Sequence, residues 1–289
     1  MLPIQIRQQL LKITRQYFWG KKFIDVDPPV LLPSLPLEPN IYSFSTIWQN
    51  NKKNLYLATS PEPTLKQVLA SQKQNCFAIS KSFRDLEASG SLHQPEFTML
   101  EWYEIGHDYT DLMTSVQNYI SHCFNKINDN RTLKLPTSLW PRIPLTKLFA
   151  DQGFSLPQNE PELNQIFLNH TEPQLPTTPL FIIDYPAFMS PLAKPKDNLA
   201  ERFELYINKI EIANGCSENT NPKLIAKNFA AETKFRLQNN LPIHPTNPDF
   251  ATNSANLPTP IGGVGLGFDR LAMLLSGATT INDVVYTAL

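Results

Sequence analysis

The sequence predicts an α+β fold in which helices flank an antiparallel sheet. Strand-like segments follow one another along the chain, and the regular alternation of strand and helix that produces parallel sheets is not visible. A glycine-rich strand at 262–267 leads directly into an apolar helix. The 289 residues suffice for one large domain or two small ones, and a hydrophobic fraction of 42% is typical of a globular protein.

Each element follows from its local pattern. Ile6, Leu10, Ile13 and Tyr17 recur at the spacing of one helix face, whereas alternating or β-branched and aromatic runs indicate strands. In chain order we predict a helix over 4–19, an edge strand in 23–32, a strand ending in a turn at 54–62, a helix over 64–70, strands at 75–84 and 95–105, a helix over 108–125, a strand at 181–187, a hairpin at 202–215, a helix over 223–239 and a glycine-rich strand entering a helix at 262–277.

Prolines mark the segments that resist this assignment. The 26 prolines concentrate in 28–39 and 242–260. Because proline lacks the backbone donor that a helix needs, we expect both stretches to be ordered loops and not helices. The segment 130–180 is also interrupted by prolines, and its elements are the hardest to assign.

Composition and charge exclude several classes of protein. The net charge of −1 gives the whole chain no electrostatic attraction to nucleic acid. Cys76, Cys123 and Cys216 form no CxxC pair, which argues against a disulfide scaffold or a zinc site and favours a cytoplasmic protein. Runs of about 18 apolar residues are missing, and Arg7 and Lys12 interrupt the first segment, so we expect neither a membrane span nor a signal peptide.

The first candidate site lies in FRDLEASGSLHQPEFTMLEWYE (83–104), which we interpret as a strand, a loop and a returning strand. This turn brings Arg84, Glu87, His93 and Phe97 near one another. A guanidinium can neutralise a phosphate with two parallel donors, and a phenyl ring offers a flat face to a purine. An ordinary hairpin with a surface arginine is the alternative.

The second candidate site is the hairpin RFELYINKIEIANGCSEN (202–219). A two-residue turn at 208–209 would place Tyr206 opposite Glu211 and Glu204 opposite Ala213. The two carboxylates would then be diagonal neighbours on one face, where they could hold Mg²⁺ together with phosphate oxygens. The alternative is a solvated acidic face.

The same pleat predicts that Asn214 lies on the opposite face. It would reach the site only if Gly215 kinked the strand.

The third candidate site is GGVGLGFDRL (262–271). Gly263, Gly265 and Gly267 leave one strand face without side chains, so that a ligand can approach the backbone closely. Arg270 opens the following helix and can reach a phosphate or stack on a base. The spacing matches neither a dinucleotide-binding loop nor a P-loop.

Taken in order, these segments resemble motifs 2 and 3 of class II aminoacyl-tRNA synthetases, and FIDVDPP (23–29) resembles motif 1. The resemblance is strongest to lysyl-tRNA synthetases and to the shortened elongation factor P–(R)-β-lysine ligases. PEFTMLEWY (95–103) is most similar to the ligases, whereas DYPAFMSPLA (184–193) and EIANGCSEN (211–219) resemble lysyl-tRNA synthetases at least as well. The resemblance implies one catalytic domain over 1–289 and a homodimer formed through motif 1.

The resemblance also implies an ATP site with Mg²⁺. Arg84 would bind the α-phosphate, and Phe97 with Arg270 would sandwich the adenine, so that the two arginines act as the catalytic residues. Glu204 and Glu211 would hold the metal. The remaining ATP contacts would come from Glu87 and His93.

The family pattern places an amino-acid pocket beside the nucleotide. Its implied members are Glu62, Glu101, Tyr103, Asn214, Glu218 and Gly265. Glu62 would bind the α-ammonium, and Glu218 with Tyr103 the ε-ammonium. Because a buried ammonium requires a paired carboxylate, a pocket with Glu62 at one end and Glu218 at the other suits a diamino acid.

Three departures from the family pattern bear on specificity and on ATP contacts. The motif 2 loop has one extra residue, which offsets Glu87. Leu92 stands where lysyl-tRNA synthetases carry a loop arginine, and His93 is the substitute that the sequence offers. Gly265 matches lysyl-tRNA synthetases, whereas the β-lysine ligases carry alanine. A methyl group would crowd the α-amino region, so glycine makes α-lysine as suitable a substrate as (R)-β-lysine.

The resemblance leaves three functions open. The first is ATP-dependent activation of lysine or (R)-β-lysine and transfer to a lysine of elongation factor P. We favour it because motif 1 begins within the first 30 residues and leaves no room for the anticodon-binding barrel of lysyl-tRNA synthetases. The second is a ligase with a tRNA or small-molecule acceptor. The third is a regulatory paralogue without catalysis.

Overall fold

The computed structural model describes residues 1–86, 90–127, 133 and 135–286. In these residues the helices are α1 (Pro3–Gly20), α2 (Glu62–Gln72), α3 (Tyr109–Lys126), α4 (Leu145–Asp151), α5 (Glu160–Ile166), α6 (Pro222–Gln238), α7 (Pro248–Ser254) and α8 (Phe268–Ser276). A π turn over Phe167–Thr171 and short 3-10 turns connect some of them. No helix among the described residues is both long enough and apolar enough to span a bilayer.

The strands form two sheets. They are β1 (Ile24–Asp25), β2 (Leu31–Leu32), β3 (Ser45–Trp48), β4 (Lys53–Leu57), β5 (Cys76–Phe83), β6 (Glu96–Ile105), β7 (Arg142–Pro144), β8 (Leu180–Pro186), β9 (Pro195–Lys196), β10 (Leu199–Ile207), β11 (Ile210–Ser217) and β12 (Ile261–Gly267). The main sheet has the order β1-β5-β6-β12-β11-β10-β8-β7, with β9 paired to β10, and β2-β4-β3 form the second sheet. The prediction of an α+β fold is therefore confirmed.

The main sheet is antiparallel at its centre and parallel at its borders. All pairs from β5 to β8 are antiparallel, whereas β1 pairs with β5 and β7 pairs with β8 in parallel. The predicted edge strand corresponds to β1, which borders the sheet and covers two residues before the prolines begin.

Helices α1, α3 and α8 cover one face of the main sheet and enclose the largest apolar core. Phe77, Leu100, Trp102, Val264 and Leu266 project from neighbouring strands into this core. Because side chains alternate across a strand, the residues between them project from the other face. Helix α2 packs there against β5 and β6.

One predicted loop is wrong. The proline-containing stretch 242–260 includes helix α7, which begins at Pro248. Proline is tolerated at the first position of a helix, where its missing N–H has no intrahelical partner in any case. Asn247 caps this helix by accepting a hydrogen bond from the Asp249 backbone N–H.

The hairpin of β10 and β11 differs from its predicted register. Asn208 and Lys209 have φ values of 54° and 63°, as a type I′ turn requires, and Tyr206 lies opposite Glu211 as expected. A bulge follows, because Leu205 lies opposite Ala213 and leaves Ile212 as the additional residue.

The predicted pairing of Glu204 with Ala213 is therefore wrong, since Glu204 lies opposite Asn214. The bulge, and not a kink at Gly215, brings the Asn214 amide to the face of Glu204.

Candidate active site

A cavity of about 340 Å³ opens over the face of the sheet opposite the main core. Eleven of the predicted site residues line it: Glu62, Arg84, His93, Phe97, Glu101, Tyr103, Glu211, Asn214, Glu218, Gly265 and Arg270. Glu204 lies beside it and contacts Asn214 and Arg202 of the cavity wall. Glu87 lies outside the described residues.

Strand β6 gives the cavity two ends. Phe97 and Tyr103 lie on the same face of this strand six residues apart, a rise of roughly 20 Å. The arginine end comprises Arg84, His93, Phe97, Glu211 and Arg270. The acidic end comprises Glu62, Lys66, Glu101, Tyr103 and Glu218.

A buried lysine joins two carboxylates at the acidic end. Lys66 Nζ lies 2.6 Å from Glu62 Oε1 and 2.6 Å from Glu218 Oε2, and only 4% of Lys66 is exposed. Glu62 and Glu218 therefore flank one cation, and the predicted placement at opposite ends of the pocket is wrong. Burial raises the pKa of Glu218, and the Lys66 charge opposes that shift.

A second acidic group lies next to this ion pair. The Tyr103 hydroxyl donates a hydrogen bond to Glu101 Oε1 at 2.8 Å. Burial, reinforced by the charge of Glu62, raises the pKa of Glu101 well above its usual value. One Lys66 ammonium faces two carboxylates, so the acidic end holds more negative charge than Lys66 neutralises whether or not Glu101 is protonated.

The glycines of β12 make room for these side chains. A Cβ atom on Gly263 would lie 2.5 Å from Glu218 Oε1 and would overlap the Tyr103 ring. A Cβ atom on Gly265 would lie 3.4 Å from Met99 Sδ and 4.0 Å from Glu101 Oε2, which are ordinary contacts. Only glycine fits at position 263 without displacing Tyr103 and Glu218, whereas the absence of a side chain at Gly265 leaves space for a ligand.

Arg84 dominates the arginine end. Its guanidinium lies over the Phe97 ring, with Cζ 5.3 Å from the ring centroid. The Nε donor is buried and finds no hydrogen-bond acceptor among the described residues. A buried donor without an acceptor is costly, so this group is suited to an anionic ligand.

Arg270 connects three segments at the same end. It donates to the Glu211 carbonyl at 2.9 Å and to Glu211 Oε2 at 3.4 Å, and its Nη2 lies 2.7 Å from His93 Nε2. A further hydrogen bond to the Leu92 carbonyl holds the loop before β6. His93 thus lies against the arginine of the next motif, a contact that the sequence analysis did not predict.

Glu204 is the most heavily hydrogen-bonded carboxylate near the cavity. Arg202 Nη2 donates to it at 2.6 Å, the hydroxyls of Tyr185 and Tyr206 at 2.7 and 2.9 Å, and Asn214 Nδ2 at 3.3 Å. Burial raises the pKa of Glu204, the Arg202 charge opposes this shift, and the charge of Glu211 adds to it.

The oxygen donors of Glu204 and Glu211 fit a hard divalent cation in part. Their charges repel each other, as the effect on the pKa of Glu204 shows, and a cation between them would relieve this repulsion. The described residues contain no group of three His, Cys, Asp or Glu that could hold a metal alone. Water or phosphate oxygens would have to complete the shell, and Arg202 would have to release one oxygen of Glu204.

Sequence reasoning missed three residues of the wall. Lys66 follows Glu62 by four residues on α2, and Arg202 precedes Glu204 by two on β10, so both share a face with a predicted site residue. Those spacings could have identified them. Glu38 comes from the proline-rich segment, where the sequence contains no signal for its position.

Comparisons with known proteins identify the family of the chain. The family model of tRNA synthetases class II (D, K and N) matches residues 2–287. The elongation factor P–(R)-β-lysine ligase of Pseudoalteromonas translucida is 31% identical over 96% of this chain and 93% of that protein.

Lysine–tRNA ligases also match. Those of Pelotomaculum thermopropionicum and Methanosarcina mazei are each 31% identical over 97% of the chain. The chain spans about three fifths of their length, 62% and 61% respectively. Since the family model covers nearly the whole chain, the protein belongs to the class II tRNA synthetase family of the D, K and N type.

Proposed function

We propose that this protein activates a lysine-like diamino acid with ATP and Mg²⁺ as the aminoacyl adenylate and transfers it to a lysine side chain of elongation factor P. The proposal rests on one observation: the same cavity holds an excess of buried carboxylates at one end and a buried arginine donor without an acceptor among the described residues at the other. The acidic end suits ammonium groups, and the arginine end suits a phosphate.

In the first step, a carboxylate oxygen of the amino acid attacks the α-phosphorus, and the bond to the β-phosphate breaks as pyrophosphate leaves with the electron pair. Arg84 neutralises charge on the α-phosphate, and its stacking on Phe97 fixes the guanidinium plane. The acidic end holds the distal ammonium group and so aligns the carboxylate for attack. Bound Mg²⁺, held by Glu211 and by Glu204 after Arg202 moves, would neutralise phosphate charge.

In the second step, the amine of the acceptor attacks the acyl carbon, AMP leaves and the amine loses a proton. Elongation factor P is favoured as acceptor because the match covers 93% of a ligase named for it. A tRNA acceptor is the second candidate, because lysine–tRNA ligases match 97% of the chain.

We further propose that residues 1–289 form one catalytic domain that works in translation in the cytoplasm. The segment 23–29 would form a homodimer interface, because Trp19 and Leu31 on either side of it are exposed apolar residues. Sedimentation velocity tests this assembly: a dimer supports it, and a monomer at micromolar concentration contradicts it.

Pyrophosphate exchange tests the activity. We expect ATP–pyrophosphate exchange with α-lysine or (R)-β-lysine and none with norleucine, which lacks the distal ammonium. Transfer of labelled amino acid to elongation factor P, and not to tRNA, would then identify the acceptor. If none of the amino acids supports exchange, the proposal is contradicted and a regulatory paralogue is favoured.

A further inference from the structure

The geometry points to Glu38 as a specificity-determining residue that binds the ammonium group beside the reacting carboxylate of the substrate. This inference rests on the proposed function. It assigns a role to a residue of the proline-rich segment 28–39 that lies after the motif 1 segment 23–29 and outside the other family motifs.

The position of Glu38 is fixed from behind by a buried arginine. Arg236 of α6 has an exposed fraction of 0%, and its Nη2 donates to the carbonyl oxygens of Glu38 at 2.6 Å and Ile41 at 2.9 Å. Its guanidinium also lies over the Tyr42 ring, 4.7 Å from the centroid. Because the backbone around Glu38 is held by these contacts, its side chain is presented to the cavity by a rigid loop.

Glu38 differs from the other acids of the cavity in having no partner. Glu62 and Glu218 share Lys66, and Glu101 accepts the Tyr103 hydroxyl. No residue that the structure describes forms a hydrogen bond or an ion pair with the Glu38 carboxylate. A half-buried carboxylate without a partner is suited to a cationic ligand, since such a ligand repays its desolvation.

The charges around Glu38 indicate which ammonium it binds. Burial raises the pKa of Glu38 to about 7, and the charge of Glu62 adds to the shift. Arg84, Lys66 and Arg202 oppose it, and Arg84 is the strongest of these cations. Glu38 and Arg84 line the same cavity, and of these three cations Arg84, which binds the α-phosphate in the proposed reaction, acts most strongly on the Glu38 pKa. The ammonium closest to that phosphate is the one beside the reacting carboxylate.

Glu38→Gln tests the inference in ATP–pyrophosphate exchange. Loss of a charged hydrogen bond should raise the KM for lysine about 10-fold to 100-fold and leave the KM for ATP within about twofold. 6-Aminohexanoate has the distal ammonium and the carboxylate but lacks the ammonium in question. Its inhibition constant should therefore change by less than about twofold.

The pH dependence supplies a separate readout. In the unaltered protein the KM for lysine should fall as the pH rises through about 7, because ionised Glu38 attracts the ammonium. Glu38→Gln should remove this step. Glu38→Asp keeps the charge, so it should retain the step with a smaller rise in KM.

The control is Glu201→Gln, which removes a carboxylate paired with exposed Lys194 outside the cavity wall and should leave both constants unchanged. Equal weakening of lysine and 6-aminohexanoate in Glu38→Gln would overturn the inference, as would an unchanged KM for lysine. Absence of exchange in the unaltered protein would overturn the proposed function and this inference with it.

Discussion

The two ends of the cavity satisfy their charges in different ways. At the acidic end, Lys66 already pairs with both Glu62 and Glu218 through contacts of 2.6 Å. At the arginine end, the buried Nε of Arg84 has no acceptor among the described residues. Mutations at the acidic end should therefore mainly lower the free energy of unfolding, whereas mutations at the arginine end should mainly lower the turnover number.

Lys66→Met is expected to have the largest effect. It removes the cation between two buried carboxylates, and breaking such a buried pair costs about 3–5 kcal/mol. The free energy of unfolding, measured by urea titration at pH 7.5, should fall by that amount. Lys147→Met is the matched control, because its ion pair with Asp151 has the same i,i+4 spacing but is exposed, and it should cost less than about 0.5 kcal/mol.

The pH dependence of the Lys66→Met effect follows from the same carboxylates. Burial already raises the pKa of Glu218, and without Lys66 nothing on α2 opposes that shift. A carboxyl group whose pKa is higher in the folded state binds protons more tightly there, so acidification favours folding. The difference in the free energy of unfolding between the unaltered protein and Lys66→Met should therefore be smaller at pH 5.5 than at pH 7.5. A difference that stays constant over this range would contradict the assignment.

Arg84→Gln should produce the next largest effect. Removing a preorganised donor to the α-phosphate lowers the turnover number about 100-fold to 1,000-fold, while the free energy of unfolding should change little because the Nε atom has no partner to lose. Arg142→Gln serves as control, since Arg142 bonds Thr114 away from the cavity. A similar loss of turnover in both variants would show that the comparison between the two ends is wrong.

The sequence predicts the fold better than it predicts the site. Helical spacing and strand alternation identify α1 and the pair β5 and β6 within a few residues. These elements are long and bury one regular face, so their pattern is strong. The helix α7 was missed because proline at a helix start has the same local signal as proline in a loop.

The hairpin shows where local pattern is insufficient. The turn at Asn208-Lys209 was predictable from its two-residue length, but the bulge at Ile212 was not. Ile212 is 1% exposed in the main core, while neighbouring Glu211 reaches Arg270. The additional residue is stabilised only by contacts with other segments, which the local pattern does not contain. A prediction from strict alternation therefore places Asn214 on the wrong face.

Within the site, the predicted residues converge, but their pairing was predicted incompletely. Motif positions identify Glu62 and Glu218 without showing that Lys66 lies between them. The ion pair between Lys66 on α2 and Glu218, just after β11, depends on tertiary packing, which no local spacing specifies.

Gly263→Ala should affect the acidic end through space alone. The added Cβ atom would overlap the Tyr103 ring and approach Glu218 Oε1 to 2.5 Å. Because both side chains are buried, we expect a loss of about 1–3 kcal/mol in the free energy of unfolding and a higher KM for lysine. Thermal unfolding and exchange kinetics measure the two effects. Unchanged values for both would mean that the acidic end is more adaptable than its contacts indicate.

Gly265→Ala is two residues away on the same strand and should have the smallest effect on stability. Its Cβ atom would meet only ordinary contacts with Met99 and Glu101, so the free energy of unfolding should change by less than about 1 kcal/mol. The methyl group would project into the cavity, where it crowds an α-ammonium more than a β-ammonium. One methyl group discriminates by roughly tenfold, so kcat/KM for α-lysine should fall about tenfold relative to (R)-β-lysine. Exchange kinetics with both substrates measure this ratio. An unchanged ratio would mean that the reacting end of the amino acid lies away from Gly265. Glu38 and Arg84 would then be the residues that position this end of the substrate.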